Sequence, residues 1–384
     1  MADIEKSSKL TIVDRGIAVH SQEEGGMQSC AFAGVCILPN GRWICNFRAA
    51  PTKSGMVGQK AMVTWSDDEG KTWTKPVEPF TAPSIDGRPG IFRQVRMTSL
   101  GDSKVMAVLY WLDHSDPDLP FYNAATEGLL DSRIFISTSS DNGETWSDLH
   151  KVDTSPYDVP VPITGPVILL PDGRLACQFE VNKHYYDLEQ WRHVPAMVFS
   201  SDGGETWGDC VVPCSDPSNR IFYWDQRPAL MNDGRLLDLF WTYDTKDAVY
   251  LNMHAVESLD NGRTWSRPWD TGVPGQPAPA VSLNDGRIVM VYVSREKDVT
   301  IRARISEDKG LTWPDSTEKV IYETDLSQNT EKRGMEDAWA EMMEFSVGLP
   351  DTALLPDGDV LVSHYAGPQT DRTSIHWIRL RALD

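Results

Sequence analysis

Short apolar runs recur along the whole chain in pairs, and each pair flanks an Asn-Gly or Asp-Gly dipeptide. Gly and Asn accept the positive φ that tight turns need, so these dipeptides between apolar runs are typical of β-hairpins. The runs are nearly continuous in Val, Ile, Leu, Ala and Phe, as expected for strands buried on both faces. The pattern predicts hairpins at 36–47, 168–179, 229–240, 281–292 and 353–364, and a looser copy at 97–111.

A second motif, S-x-D-x-G-x-T-W, alternates with the hairpins. Its Asp and Ser can hydrogen-bond the amides of their own turn, and its Gly can take the left-handed conformation. Its Trp has a large apolar face that can pack between neighbouring units. We therefore interpret this box as a structural turn that follows the third strand of each unit. The five boxes begin at Ser66, Ser139, Ser200, Ser258 and Ser306.

The repeats have a period of about 50–70 residues, and each contains several strands, which favours a propeller over independent domains. The pattern predicts an all-β fold, a six-bladed β-propeller of four-stranded antiparallel blades, with residues 1–384 as one domain. The sixth unit lacks a box. Its third strand is predicted at 374–380, and the N-terminal strand at 11–20 is expected to pair with it. Such closure removes exposed sheet edges.

Charge and hydropathy narrow the possible partners. The chain has 36 Lys+Arg and 56 Asp+Glu, a net charge of −20, which argues against nucleic acid. No apolar run approaches the ~18–20 residues that span a bilayer, so no membrane partner is expected. The N-terminal residues do not resemble a signal peptide, so we expect a cytoplasmic location; a chain whose leader had been removed would look the same. The sequence leaves the oligomeric state open.

Charged and aromatic residues gather at one end of the predicted strands. All hairpin turns and boxes should lie on one side of the blades, so ligand chemistry is expected on the other. Residues on that side follow second strands or precede first strands. They are Arg48, Trp111, Glu180, Trp241, Asp244, Arg295, His364 and Tyr365, together with Gln28, Arg93, Asp225, Arg227, Gln276, Glu344 and Asp351.

The five boxes and the six-unit count resemble the sialidase superfamily, whose repeats are called Asp boxes. The resemblance implies three arginines that bind a substrate carboxylate, a Tyr–Glu nucleophile pair and an acid/base Asp. Arg48, Arg227 and Arg295 match the arginines, Tyr365 matches the nucleophile, and Glu180 is its candidate partner. The loop after Arg48 reads TKSGMVGQK and has no carboxylate where the family has its Asp.

The implied function is an exo-acting glycosidase that hydrolyses the bond to a terminal, acidic sugar, with a carbohydrate substrate and with no metal or other cofactor. Arg93, His184, Tyr185 and Trp241 complete the predicted substrate-binding set.

Three alternatives stay open. The first uses paired carboxylates from Glu180, Asp225 and Asp244, an arrangement that resembles exo-arabinanases acting on neutral sugars; Asp225 could instead pair with Arg227. The second is a polysaccharide lyase with a His or Tyr base, for which His184, Tyr185, His254 and His364 are candidates, although 184–186 also suits an aromatic sugar platform. The third is a non-catalytic carbohydrate-binding propeller.

Overall fold

Strands dominate the fold. The computed structural model describes residues 9–295, 298–327 and 335–383, and within these ranges the chain forms 27 strands, two 3-10 turns and one α-helix. The first nine strands are β1 Leu10–Val19, β2 Ser29–Ile37, β3 Trp43–Ala50, β4 Lys60–Ser66, β5 Gly90–Gly101, β6 Lys104–Asp113, β7 Tyr122–Asn123, β8 Gly128–Leu129 and β9 Ser132–Ser139. The next nine are β10 His150–Lys151, β11 Ile168–Leu169, β12 Leu175–Val181, β13 Val194–Ser200, β14 Gly208–Val211, β15 Ile221–Leu230, β16 Leu236–Asp244, β17 Val249–Tyr250 and β18 Asn252–Ser258.

The last nine strands are β19 Trp269–Pro274, β20 Gln276–Pro277, β21 Val281–Ser282, β22 Ile288–Ser294, β23 Asp298–Ser306, β24 Lys319–Ser327, β25 Val347–Leu354, β26 Val360–Gln369 and β27 Arg372–Ala382. The helix α1 is Met335–Glu344, and the 3-10 turns are Glu24–Gly26 and Asp315–Thr317. No helix among the described residues is long and apolar enough to cross a membrane.

The strands form consecutive sheets with antiparallel pairing inside each repeat. Strands β5, β6, β9 and β10 form one sheet, β11 to β14 the next, β15, β16, β18 and β19 the third, and β20, β22, β23 and β24 the fourth. A seven-stranded sheet contains β25 to β27, β1 and β2 to β4. Each sheet packs against the next along the chain, as where β15 contacts β13 and β20 contacts β16. The predicted all-β propeller architecture is therefore confirmed.

The two ends of the chain meet in one sheet. Strand β1 pairs antiparallel with β27 from Leu10 opposite Ala382 to Val19 opposite Ile375. The predicted third strand at 374–380 lies within β27. A single parallel pair, Ser29 with Thr373, joins β27 to β2. The N-terminal strand thus covers an edge that the last repeat would otherwise expose.

The boxes form closed hydrogen-bonded turns, as the box at 139–146 illustrates. The Gly143 amide donates to Ser139 Oγ at 2.9 Å, and the Thr145 amide donates to Asp141 Oδ1 at 2.9 Å. Trp146 packs edge-on against Phe80 of the preceding repeat, with ring centroids 4.9 Å apart. This box therefore bonds its own Ser and Asp side chains and presents the apolar face of Trp146 to the preceding repeat.

Candidate active site

A central cavity lies where second strands end and first strands begin, on the side predicted from topology. Residues from β5, β12, β15, β16 and β26 line it. Six of the eleven predicted site residues reach it: Arg93, Glu180, Asp225, Arg227, Trp241 and Tyr365. The remaining five, Arg48, Asp244, Arg295, His184 and Tyr185, do not line it.

A β-bulge brings two carboxylates together at the cavity wall. Between Trp224 and Arg227 the pairing of β15 with β16 shifts register, and Asp225 adopts a positive φ of 54°. A positive φ is uncommon for a residue other than glycine, and it turns the Asp225 backbone out of the ladder. The Asp225 amide donates a hydrogen bond to Glu180 Oε1 at the end of β12. The two carboxylates therefore come from neighbouring sheets yet lie beside one another.

Both side-chain oxygens of Asp225 are held. Its Oδ1 lies 2.7 Å from an Arg227 guanidinium nitrogen, and its Oδ2 accepts a 2.7 Å hydrogen bond from Gln276 Nε2. Burial raises the pKa of Asp225, with the nearby Glu180 charge adding to the rise while Arg227 and Gln276 oppose it. The anticipated ion pair with Arg227 is thus present inside the cavity.

Glu180 has a neighbour that the sequence did not reveal. His193 Nε2 lies 3.6 Å from Glu180 Oε1, and the imidazole is buried against Trp191 and Phe222. His193 directly precedes β13, whereas the predicted site residues follow second strands or precede first strands. Pairing of β12 with β13 places it beside Glu180, a contact that sequence separation alone does not indicate.

Tyr365 is buried at the base of the cavity, and its hydroxyl meets a lysine. The hydroxyl oxygen lies 3.4 Å from Lys53 Nζ, and among the described residues Lys53, not Glu180, is its hydrogen-bonding partner. Burial raises the pKa of Tyr365 to about 12; Asp225 contributes in the same direction, and Arg295 opposes it. The Tyr–Glu pair implied by the resemblance is replaced here by a Tyr–Lys contact, because the loop between β3 and β4 brings Lys53 into the cavity.

Arg93 is a buried cation between aromatic rings. Its guanidinium carbon lies 4.5 Å from the centre of the Phe121 ring and 5.4 Å from that of Phe32. The Arg93 guanidinium donates a 3.5 Å hydrogen bond to Gln59 Oε1, and no described carboxylate lies within 4 Å of it. Burial lowers the pKa of Arg93 to about 10. Arg93 therefore faces the cavity without a counter-charge in the described protein.

Two of the three arginines expected to bind a carboxylate do not line the cavity. Arg48 is fully buried and donates to Gln59 Oε1 and to the Gly55 carbonyl, each at 2.9 Å. Arg295 donates to Gln276 Oε1 at 2.7 Å, and its guanidinium lies 3.8 Å from the centre of the Phe345 ring. Of the expected three, only Arg227 lines the cavity, because the others hold the loops that shape it.

Asp244 is not brought together with Glu180 and Asp225. It forms a bidentate ion pair with Arg220, with oxygen to Nε distances of 2.9 and 2.8 Å. The Arg220 hydrogen bond lowers the pKa of Asp244. Asp244 lies at the end of a strand, as predicted, but its carboxylate pairs with Arg220 and does not line the cavity.

His184 and Tyr185 line a separate cavity beside the hairpin of β7 and β8. The ring of Tyr185 packs edge-on against Tyr186, which is 72% exposed. The candidate histidines are not clustered, because the ring of His364 faces Tyr322 and His376. The His–Tyr grouping considered for a lyase is therefore absent from the central cavity.

Helix α1 and the loop after it form one wall of the cavity. Helix α1 follows residues 328–334, which lie outside the described part of the chain. Trp339, Met342 and Phe345 line the cavity, and Trp339 stacks on Tyr122 of the β7–β8 hairpin with ring centroids 4.7 Å apart. The helix and the β7–β8 hairpin therefore meet and narrow the cavity from one side.

Cations outnumber carboxylates in the lining. Two of the basic residues, Lys53 and Arg96, are not among the site residues predicted from the sequence, although Lys53 lies in the loop after Arg48, which has no carboxylate. The described residues hold no cluster of three or more His, Cys, Asp or Glu side chains that could bind a metal. The charged lining residues are Lys53, Arg93, Arg96 and Arg227 against Glu180 and Asp225.

Comparison with known families identifies the chain. The model of the BNR repeat-like domain matches residues 119–360, which is more than half of its length. The chain belongs to this family. The BNR assignment confirms the sialidase-superfamily relationship expected from the five boxes. No curated protein sequence gives a significant match.

Solved structures of this BNR propeller fold cover nearly the whole chain at low identity. A Dyadobacter fermentans protein of unknown function has a TM-score of 0.75 and 19% identity, with 97% of this chain and 99% of that chain covered. The intramolecular trans-sialidase from Ruminococcus gnavus, in complex with oseltamivir carboxylate, has a TM-score of 0.62, 14% identity and coverage of 94% and 96%. The α-L-arabinanase of Penicillium chrysogenum, complexed with arabinobiose, has a TM-score of 0.60 and 15% identity, with 96% of this chain and 98% of that chain covered. These likenesses show a shared fold.

Proposed function

We propose that this BNR propeller is an exo-acting glycoside hydrolase that removes a terminal sugar bearing a carboxylate. The observation that carries the proposal is the cavity charge: three guanidinium groups, those of Arg93, Arg96 and Arg227, face two carboxylates in a molecule of net charge −20. Such a local excess of positive charge concentrates an anionic ligand against the repulsion of the whole molecule.

Arg93 is the group that most needs an anion. Burying a guanidinium without a partner is costly, and a substrate carboxylate would supply the missing charge through two parallel hydrogen bonds. Phe32 and Phe121 flank the guanidinium and exclude water, which would strengthen the contact. Arg93, rather than Arg48 or Arg295, is therefore our primary carboxylate-binding residue.

The two cavity carboxylates, Asp225 and Glu180, have different roles in the proposed reaction. Asp225 is fixed through both oxygens by Arg227 and Gln276, so it suits electrostatic stabilisation of the positive charge that develops at the anomeric carbon. Glu180 is held through Oε1 by the Asp225 amide. Its second oxygen is then the candidate for exchanging a proton with the leaving group. Tyr365 is the candidate nucleophile.

The cavity walls favour action on chain ends. Trp339 of α1 stacks on Tyr122 of the β7–β8 hairpin, so the helix and the hairpin are in contact at one side of the cavity. A long polysaccharide that passed through the cavity would have to break the contact between the helix and the hairpin. A terminal sugar residue can enter the cavity without breaking that contact.

We also propose that the sheets comprise six blades in one domain. The seven-stranded sheet is joined between β27 and β2 by one parallel pair, Ser29 with Thr373. Division at that point gives one blade of β25, β26, β27 and β1 and another built on β2, β3 and β4. With the other four sheets this makes six units, one for each hairpin motif.

Hydrolysis of aryl glycosides tests the function. We expect turnover of an aryl sialoside or an aryl uronide but not of an aryl arabinofuranoside. Arg93→Met should raise KM for the acidic sugar about 10- to 100-fold, because it removes a charged hydrogen-bonding group. Arg88→Met, in the separate cavity, is the matched control and should leave KM unchanged.

Other outcomes would overturn the proposal in distinct ways. Turnover of the neutral sugar alone would favour the two-carboxylate alternative. An unsaturated, ultraviolet-absorbing product would identify a lyase. Saturable binding of acidic sugars without any product would indicate a carbohydrate-binding propeller. Arg227→Ala is less informative than Arg93→Met, since it also strips Asp225 of its ion pair.

A further inference from the structure

Lys53 is a buried lysine at the centre of the proposed site. It is 2% exposed and lies in the loop between β3 and β4. Its Nζ donates to the carbonyl oxygens of Met342, at 2.9 Å, and of Phe345, and it lies 3.4 Å from the hydroxyl oxygen of Tyr365. Three oxygen atoms therefore lie within hydrogen-bonding distance of the nitrogen, one for each of its remaining tetrahedral positions.

The three oxygens are chemically different. Carbonyl oxygens only accept hydrogen bonds, so two of the positions on Lys53 must be N–H groups. The third position faces Tyr365, whose hydroxyl can donate or accept. A neutral amine would direct its lone pair there and accept the Tyr365 proton, whereas an ammonium would donate to a phenolate. One proton can thus sit on either residue while every hydrogen bond is kept.

The charges around Lys53 favour the neutral amine in the resting protein. Burial lowers the pKa of Lys53 well below its usual range, and the nearby Arg295, Arg48 and Arg93 guanidinium groups lower it further. The opposing charge is Asp371, which accepts a 2.7 Å hydrogen bond from the Lys53 backbone amide. From the α1 side, the groups that contact Nζ are the two carbonyls.

We propose that Lys53 is the general base that takes the hydroxyl proton of Tyr365 as the phenolic oxygen attacks the anomeric carbon of the substrate. This inference rests on the proposed hydrolase function and adds a residue to its mechanism. It assigns to a lysine the activation that the resemblance assigns to a glutamate, and it explains why a buried amine points at a buried phenol.

The proposed step balances as a double displacement. In the first half the Tyr365 Oη to anomeric carbon bond forms, the bond to the leaving oxygen breaks, the hydroxyl proton passes to Lys53, and Glu180 protonates the leaving group. In the second half water attacks the anomeric carbon and gives a proton to Glu180. The phenolate then leaves the sugar and recovers its proton from Lys53. The substrate carboxylate offsets the transient ammonium charge.

Lys53 also has a structural role, since it bonds to carbonyl oxygens at the end of α1. Two variants separate this structural role from the role as a base. Lys53→Met removes both the tether and the base. Lys53→Arg keeps hydrogen-bond donors for the two carbonyls, but a guanidinium cannot accept a proton. Restored activity in Lys53→Arg would mean that tethering is sufficient, and it would overturn the proposal.

Kinetics on an aryl glycoside of an acidic sugar give the first readout. We expect both Lys53 variants to lose about 10²- to 10⁴-fold in kcat, the usual contribution of a general base. The limb of the wild-type pH profile that rises with deprotonation of the base should disappear in both. In a Tyr365→Phe background, Lys53→Met should cause no further loss. An unchanged pH profile in the Lys53 variants would overturn the proposal and leave the hydrolase function standing.

A second readout needs no substrate. In protein labelled with ¹³C at lysine Cε, the Lys53 signal is assigned by its absence in Lys53→Met. We expect it to titrate well below the ordinary lysine range, and its titration to shift in Tyr365→Phe. Titration in the ordinary lysine range would overturn the base role even if no substrate were found. Failure of the hydrolase function alone would appear as absence of turnover with the shifted titration intact.

Discussion

At the residue scale, the site is defined by which buried charges have partners. Asp225 and Asp244 are both strand-end aspartates, yet Asp225 is held in the cavity by Arg227 and Asp244 is held outside it by Arg220. Arg93 is a buried cation and Lys53 a buried amine, and no described carboxylate lies within 4 Å of the basic nitrogens of either side chain. Unpartnered buried charge is costly, so it marks the groups that a ligand completes.

Replacement of Glu180 by Gln tests the assignment of the acid/base group. The amide oxygen can still accept the hydrogen bond of the Asp225 amide, so folding and binding of an acidic sugar should persist. The amide cannot exchange a proton, so kcat should fall about 10²- to 10⁴-fold. Steady-state kinetics and calorimetric binding provide the measurement.

Asp244→Asn serves as the matched control for Glu180→Gln. It changes a carboxylate of the same predicted set that lies outside the cavity, and its turnover should match that of the wild type. Loss of turnover in Asp244→Asn but not in Glu180→Gln would refute the assignment.

At the element scale, two local devices shape the molecule. The bulge in β15 directs Asp225 toward Glu180, and the boxes close each third strand with their own hydrogen bonds. The boxes can be predicted from the sequence because the hydrogen bonds of their recurring Ser and Asp side chains lie within eight residues. The bulge was not, since its effect depends on β12 of the neighbouring sheet.

The boxes predict a specific acid sensitivity. Hydrogen bonds from Thr145 and Ser139 lower the pKa of Asp141 from 3.8 to about 2. A carboxylate whose pKa is lower in the folded state stabilises the fold above its unfolded pKa, and this contribution is lost as the pH falls through the folded pKa. The free energy of unfolding should therefore decline from about pH 4 to about pH 2.

Asp141→Asn should flatten that decline and lower stability at neutral pH by about 1 kcal/mol, because the amide is a weaker acceptor than the carboxylate. Urea unfolding at a series of pH values gives the measurement. Glu205→Gln, which alters an exposed carboxylate in another box, is the control and should keep the wild-type slope. Parallel slopes in Asp141→Asn and wild type would contradict the role of this carboxylate.

At the scale of the whole molecule, stability depends on joining the two ends of the chain. Strand β1 lies on β27, and the indole of Trp377 in β27 packs edge-on against Trp43 of β3, with ring centroids 5.6 Å apart. A Cβ on Gly16 would lie 2.8 Å from Trp377 Nε1, so only a residue without a side chain fits there. The junction is thus closed by packing as well as by strand pairing.

Gly16→Val should destabilise the protein by about 1–3 kcal/mol, since it overpacks the junction. Val13→Thr, at an exposed position of the same strand, is the control and should leave the melting temperature almost unchanged. Thermal unfolding measures both variants, and activity at low temperature should survive in each. Equal melting temperatures for Gly16→Val and wild type would contradict the packing argument.

The sequence by itself determined the repeats, the hairpin turns, the boxes and the side on which the cavity lies, because their signals are local and recur with a period. It also placed Glu180, Asp225, Arg227, Arg93, Trp241 and Tyr365 at the cavity. Only the tertiary structure decided which charges pair across sheets. Lys53 contacts Tyr365, and Asp244 pairs with Arg220. Arg48 and Arg295 bond to the Gly55 carbonyl and to Gln276, and neither lines the cavity. Such pairings depend on loop paths and on distances between strands far apart in the chain, and no local pattern encodes them.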